Sequence, residues 1–293
     1  MTVPTFFVKA LHKLGILPAL NLEAGINLLD QRLVIPVLGG QGFYNLDLSE
    51  PWMTRVLQGI QPFFKGHFID IGVNLGQTLL KAHAVFGKIN YIGFEPNPSC
   101  VHYVQELVRA NKLTGYNIFP VGVSTETEVL KLKFFAADKS DSAASIVENY
   151  RPDQKEDHFV YVPVFDARSL RPFLPGATGA IVKIDVEGAE WEVVSGLEDW
   201  IRDFRPLILM EILPVYSAEN RFRLERQERI EALLRSLGYK MARIRKKQPV
   251  LLEPLEAIGV HAVIEDSDYI MYPSELAESV LARFENPAVD TRA

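Results

Sequence analysis

A doubly wound α/β fold, with a mostly parallel sheet covered by helices on both faces, is what this sequence predicts. Two observations carry that expectation. From residue 67 onward, short apolar runs alternate with stretches of helical periodicity, the pattern of strands joined through crossover helices. The chain also has the length and composition for it, with 293 residues, 48% hydrophobic and 23% charged. That is globular and not disordered, and long enough to bury a sizeable core.

The first ~60 residues read as a helical and loop-like cap packed on the sheet. The first strand is expected at His67–Ile71, followed by a glycine-containing turn and a helix through about Phe86. The second runs from Ile89 to Glu95. A helix then starts at Pro98, with Asn97 placed to cap it and proline where its missing N–H costs nothing. Val101, Val104 and Val108 give that helix one apolar stripe. Ile118 to Val123 is the third strand. Between residues 124 and 166 the pattern changes to alternating segments, Val129–Phe135 and Phe159–Phe165, around a polar loop from Asp138 to Ser145. That stretch reads as a β-rich insertion.

The parallel pattern returns with Ala180–Asp185, a helix carrying Val194, Leu197 and Ile201, and the strand Leu207–Glu211. A helix with Ile230, Leu233, Leu234 and Leu237 ends at Gly238. Tyr239–Arg245, Val250–Leu252 and Tyr269–Tyr272 are late strands, and residues 274–293 read as a tail. The main domain thus spans residues 61–273.

Composition excludes several classes. A net charge of -6, from 31 Lys+Arg and 37 Asp+Glu, does not suit a binder of the phosphate backbone. The single cysteine, Cys100, rules out an internal disulfide and a Cys-rich zinc site. The apolar region from Leu14 to Gly40 is broken by Pro18, Glu23, Asp30, Gln31 and Arg32, so no transmembrane segment is expected. The N-terminus lacks the pattern of a signal peptide, and the chain reads as cytoplasmic. Phe6, Phe7, Val8 and Leu11 are expected to pack on the domain, with attachment to a membrane surface as the lesser alternative.

In open α/β sheets ligands bind beyond the C-terminal strand ends, and there the sequence is distinctive. The first strand runs into Gly72-Val73-Asn74-Leu75-Gly76, a turn that lets backbone approach a ligand. Its spacing is neither the G-x-G-x-x-G of a dinucleotide loop nor a P-loop. Glu95 closes the second strand about 20 residues later, where an acidic residue can accept hydrogen bonds from a ribose diol. The fourth main strand ends in Lys183-Ile184-Asp185, with Lys183 and Asp185 on one face. Glu211 ends the next strand. Glu187 and Glu190 suit the dipole of the helix that follows.

These residues resemble a known family. Phe68-Ile69-Asp70-Ile71-Gly72-Val73-Asn74-Leu75-Gly76, Gly93-Phe94-Glu95-Pro96-Asn97-Pro98, Val182-Lys183-Ile184-Asp185-Val186-Glu187-Gly188-Ala189-Glu190-Trp191, and Arg205-Pro206 followed by Leu209-Met210-Glu211-Ile212 are similar to the successive motifs of the FkbM methyltransferases. The resemblance covers roughly residues 63–213. It implies a Rossmann-like, seven-stranded methyltransferase sheet with the last strand antiparallel, and S-adenosylmethionine as cofactor. By this resemblance Asp70, Gly72, Asn74 and Gly76 surround the methionine part, Glu95 holds the ribose, Pro96 and Asn97 lie near the adenine, and Val123 and Ser124 flank its ring. The loop Ser142–Ser145 is similar to a Ser-bearing segment of the family.

The implied function is O-methyl transfer to a hydroxyl of a glycan or small-molecule natural product. A hydroxyl acceptor needs a base or a metal. Asp185 is the first candidate and Glu211 the second. Both could bind a divalent metal through oxygens, the less favoured expectation, or be hydrogen-bonded to Lys183 or loop amides. None of His67, His83, His102 or His158 is expected as the base. Arg243, Arg245, Lys246 and Lys247 read as a solvated hairpin tip, with contact to an anionic acceptor as the alternative. A protein or nucleic-acid acceptor, or a non-catalytic cofactor-binding or scaffold module, are the competing functional readings. Nucleic acid is not expected as a partner, and a homo-oligomer is compatible with the sequence.

Overall fold

The computed structural model describes residues 2–136, 140–141, 143–147 and 154–285. In chain order its elements are α1 (Thr5–Lys13), β1 (Asn21–Leu28), β2 (Gln31–Leu38), α2 (Pro51–Ile60), β3 (His67–Ile71), α3 (Gln77–Phe86), β4 (Asn90–Phe94), α4 (Pro98–Ala110), β5 (Tyr116–Phe119), β6 (Gly122–Ser124), β7 (Glu128–Phe134) and β8 (His158–Asp166). There follow α5 (Ala167–Leu170), β9 (Ile181–Ile184), α6 (Glu190–Gly196), α7 (Glu198–Phe204), β10 (Leu207–Glu211), α8 (Arg221–Ser236), β11 (Tyr239–Arg245), β12 (Leu251–Leu255), β13 (Asp268–Pro273) and α9 (Ala277–Glu285).

The main sheet has the order β12-β11-β13-β10-β9-β3-β4-β5. β10, β9, β3, β4 and β5 pair in parallel, and β13 is antiparallel to both β10 and β11. The expected seven strands with the last one antiparallel are therefore present. β12 adds an eighth at the edge, as a hairpin on β11.

Alternation along the strands divides the core in two, because successive side chains point to opposite faces. On one face Phe68, Tyr91, Ile181 and Leu209 pack with α2, α3, α4, α9 and the β1–β2 hairpin. On the other, Ile69, Ile92, Val182 and Met210 pack with α5, α6, α7 and α8. The apolar runs read from the sequence are thus buried from both sides, as a parallel sheet requires.

The N-terminal stretch departs from its expected helical character. Only α1 is an α-helix before residue 51, and Asn21–Leu38 forms an antiparallel hairpin. Its two-residue turn is Leu29-Asp30, with Leu29 at φ +51°, so the usual Asn-Gly signal is missing. Asn111, just past α4, holds the hairpin. Its Oδ1 accepts from Val34 N at 2.7 Å and its Nδ2 donates to Val34 O at 2.7 Å.

Three further boundaries differ. Ile118–Val123 is two strands, β5 in the main sheet and β6 in a separate three-stranded sheet of order β6-β8-β7. The single helix expected after Asp185 is split into α6 and α7. Residues 277–285 are no tail but α9, with Val280 and Phe284 buried, the latter over Gly59 of α2. The alternating strands of the insertion are observed as β7 and β8, and Leu132, Phe134 and Val162 form their own small core. Asp138, Lys139 and Ser142 of the polar loop lie outside the described residues.

Candidate active site

A cavity of about 700 Å³ opens at the C-terminal ends of β3, β4, β9 and β10. The glycine loop after β3 forms its floor. Gly72 (φ +89°), Asn74 (φ +47°) and Gly76 (φ +73°) all take left-handed backbone, which curls the chain between strand and helix. Gly72 has a second constraint. A Cβ there would lie 1.8 Å from Asp185 O, so β3 and β9 approach as closely as glycine allows. Gly72 N donates to Phe94 O at 2.9 Å, tying the loop to β4 as well.

Glu95 lies where the two motifs meet. Its Oε2 accepts from Asn74 N and its Oε1 from Asn97 N, each at 2.8 Å. Burial raises its carboxyl to about 7, against the two amides, which favour the charged form. Asn97 also caps α4, its Oδ1 accepting from Ser99 N at 3.0 Å, as its sequence position predicts.

On the far side of the loop lies a buried polar chain. Lys183 donates to Gly72 O at 2.8 Å, pairs with Asp185 Oδ2 at 3.0 Å and faces Asp70 Oδ1 at 3.5 Å. Tyr91 O–H donates to Asp70 Oδ2. Burial alone would lower the Lys183 ammonium, but Asp185 and Asp70 outweigh it and raise it. For Asp185, desolvation acts upward, while the Lys183 charge and a hydrogen bond from Glu211 hold the carboxyl below its usual range. Glu211 moves the other way, raised by burial and then by the adjacent Asp185 charge. These opposed directions favour the protonated form on Glu211, as the donor to Asp185. Ser267 Oγ donates to Glu211 Oε1 at 3.2 Å. Asp185, Glu187 and Glu211 each bring a carboxylate oxygen within 4.8 Å of the others.

Of the cofactor residues expected from the sequence, Gly72, Asn74, Glu95, Pro96, Asn97 and Val123 line the cavity, as do Asp185 and Glu211. Asp70, Gly76 and Ser124 do not. Asp70 is fully buried beneath the loop, Gly76 starts α3, and Ser124 is buried at the end of β6. Of the alternatives for Asp185, pairing with Lys183 is observed. Glu190 accepts from Gly188 N at 2.8 Å, consistent with its expected helix-end role. Glu187 instead lines the cavity, at φ +51°. No histidine is among the lining residues.

The opposite wall was not anticipated. Tyr44, Asp47, Ser49 and Glu50 come from the segment before α2, and Leu132, Ala136, Asp141, Ala144 and Ile146 from the insertion. Ser145 Oγ donates to Glu187 O at 2.6 Å, joining that wall to the carboxylates. The sequence marks a helix start at Glu50-Pro51, but the position of residues 44–50 in space follows only from packing. The basic residues near 245 make no anion site. Arg243 and Arg245 pair with Glu253, Arg245 also with Asp266 at 2.5 Å, and Lys246 with Asp268 at 2.5 Å.

The arrangement can be set beside known proteins. The family model of the methyltransferase FkbM domain matches residues 70–241. The chain belongs to that family. Over 171 residues, 52% of this chain and 67% of the relative, it is 28% identical to Methyltransferase 1 of Beauveria bassiana (strain ARSEF 2860). Among solved structures it is similar to a precorrin-6y C5,15-methyltransferase of Geobacter metallireducens GS-15, at 11% identity and TM-score 0.35, covering 75% of this chain and 85% of that one. It is likewise similar to TYW2 of M. jannaschii in complex with AdoMet, at 12% identity and TM-score 0.35, covering 85% and 83%. The FkbM match begins in β3 and ends inside β11, so α1, the hairpin and residues 44–50 of the far wall lie outside it, while the insertion lies within it. Among the described residues no helix is long and apolar enough to cross a membrane.

Proposed function

We propose that this methyltransferase uses S-adenosylmethionine to methylate a hydroxyl of a glycan or small-molecule natural product. The observation that carries the cofactor is Glu95. Each of its oxygens accepts one backbone N–H and keeps a further lone pair. A carboxylate fixed in this way, at a strand end and facing a cavity, suits a vicinal diol. Asn74, Pro96, Asn97 and Val123 surround it on the same wall.

The cofactor supplies a methyl group already activated on a sulfonium. What remains for the chain is to align the acceptor and take its proton. Asp185 is held ionised by Lys183 and faces the cavity, so its carboxylate receives the proton of the hydroxyl. Glu211, protonated, donates to Asp185 and orients it. Asp185, Glu187 and Glu211 also make an all-oxygen set fit for a divalent cation, which would lower the pKa of a bound hydroxyl.

The charges lining the cavity narrow the acceptor. Among the described residues they are carboxylates and one lysine, Lys183, and that lysine is engaged by Gly72 O and two carboxylates. Carboxylates accept from hydroxyls and repel phosphates, so an uncharged, hydroxyl-rich acceptor fits and a nucleic acid does not. The test is calorimetric titration with S-adenosylhomocysteine. Wild type should bind saturably, and Glu95→Ala about 100-fold more weakly, through loss of charge-assisted hydrogen bonds. Folded wild-type protein that binds neither S-adenosylhomocysteine nor S-adenosylmethionine would refute the reading and favour a scaffold.

A further inference from the structure

α1 is apolar on two opposite sides. Val8 is fully buried and Leu11 packs beside it on the core, as the sequence leads one to expect. Phe6 and Phe7 do not. They are 73% and 45% exposed, and Leu14 and Ile16, just past the helix, are 68% and 45% exposed. At about 100° per residue, Phe6, Ala10, Leu14 and Phe7 fall within an arc of about 100°. Single exposed apolar residues are ordinary, but a cluster on one helical face marks an interaction surface.

Charge says what the surface meets. Residues 1–22 contain Lys9, His12 and Lys13 and no Asp or Glu, in a chain of net charge -6. Lys9 pairs with Asp47 at 2.6 Å, while Lys13 is exposed at the flank of the apolar arc. The location adds a third argument. The His12 ring stacks on Phe43 at 4.0 Å, and the next residue, Tyr44, is 66% exposed and lines the cavity. At about 100° per residue His12 falls across the helix from that arc, so α1 packs beside the cavity segment through one side and turns its apolar arc outward.

We propose that α1 docks on an anionic lipid surface, with Phe6, Phe7 and Leu14 in the headgroup boundary and Lys13 against lipid phosphates. An amphipathic helix lying in the interface needs both parts, an apolar face and basic flanks. A nine-residue helix gives reversible attachment. The proposal is independent of the cofactor and of the acceptor.

Co-sedimentation of the full chain with vesicles tests it. The protein should partition onto phosphatidylcholine vesicles containing phosphatidylglycerol, not onto phosphatidylcholine alone, and less at high salt. Phe6→Ser with Leu14→Ser should weaken partition about tenfold or more, and Lys13→Glu should weaken it too. Both apolar side chains are exposed, so the double variant should melt at the wild-type temperature. Absence of partition onto the anionic vesicles, or equal partition of the double variant, would overturn the proposal. So would sedimentation showing a dimer of this chain that the double variant abolishes, since a second copy would then cover the face.

Discussion

The two walls of the cavity are built differently. The first, made by the glycine loop and the end of β4, consists of strand ends inside the main sheet. Its backbone amides bind Glu95 and its left-handed residues fix the turn. The second, made by residues 44–50 and the insertion, consists of side chains on connections. Scattered bonds tie it down, among them Ser145 to Glu187 O, Lys81 to Glu50 at 3.3 Å, Ser49 to Gln77 at 2.5 Å and Asn45 to Leu75 O at 2.7 Å. A wall built into the sheet is as rigid as the core, whereas one built from loops can change composition without changing the fold. In the proposed function the first wall grips the cofactor and the second selects the acceptor.

The largest test of this contrast is Gly72→Val. Its Cβ would collide with Asp185 O at positive φ, so binding of S-adenosylhomocysteine should be abolished and the melting temperature should drop sharply. Wild-type affinity would break the assignment of the rigid wall. Asp185→Asn should separate the two functions. Cofactor affinity should stay within a few-fold, while turnover, read as S-adenosylhomocysteine release with hydroxylated acceptors, falls about 100-fold or more. A parallel loss of both would mean that Asp185 serves the binding wall.

A smaller effect concerns pH. Burial raises Glu95 and Glu190 to about 7. Between the usual carboxylate range and about pH 7, the folded chain holds protons that the unfolded chain has released. Unfolding free energy contributed by these groups therefore falls as pH rises from about 5 to about 8. Glu190→Gln, which keeps an acceptor for Gly188 N, should flatten that slope in melting curves recorded across the range. An unchanged slope would remove Glu190 from the account. Smallest is Ser145→Ala, which removes the bond to Glu187 O and the acceptor of Val147 N. It should cost about 1 kcal/mol by denaturant titration and leave S-adenosylhomocysteine affinity intact.

The same division explains what the sequence made legible. β3 and β10 were readable to the residue, and β4 nearly so, because strands buried on both faces leave nearly unbroken apolar runs. Glu95 and Asp185 stood out because polar residues at the ends of such runs need a reason. The β1–β2 hairpin did not, since Leu29-Asp30 lacks turn chemistry and Pro36 interrupts β2. Tyr44 and Glu50 were invisible as cavity residues because their placement depends on α2 packing against α3, a tertiary fact with no local pattern. Asp70 misled for the opposite reason. Its motif is clear, yet its side chain turns inward to Tyr91 and Lys183.

The order of strands in the main sheet also constrains how the molecule is made. β13 is the last strand among the described residues, yet it lies between β10 and β11 and pairs with both. During synthesis β10 and the β11–β12 hairpin must wait, with open edges, until residues 268–273 have emerged from the ribosome. That half of the sheet closes only once residues 268–273 are available, and until then its unpaired edges are exposed to misassociation. A premature stop anywhere before residue 268 therefore deletes an interior strand, leaving a nascent chain that cannot complete its own sheet.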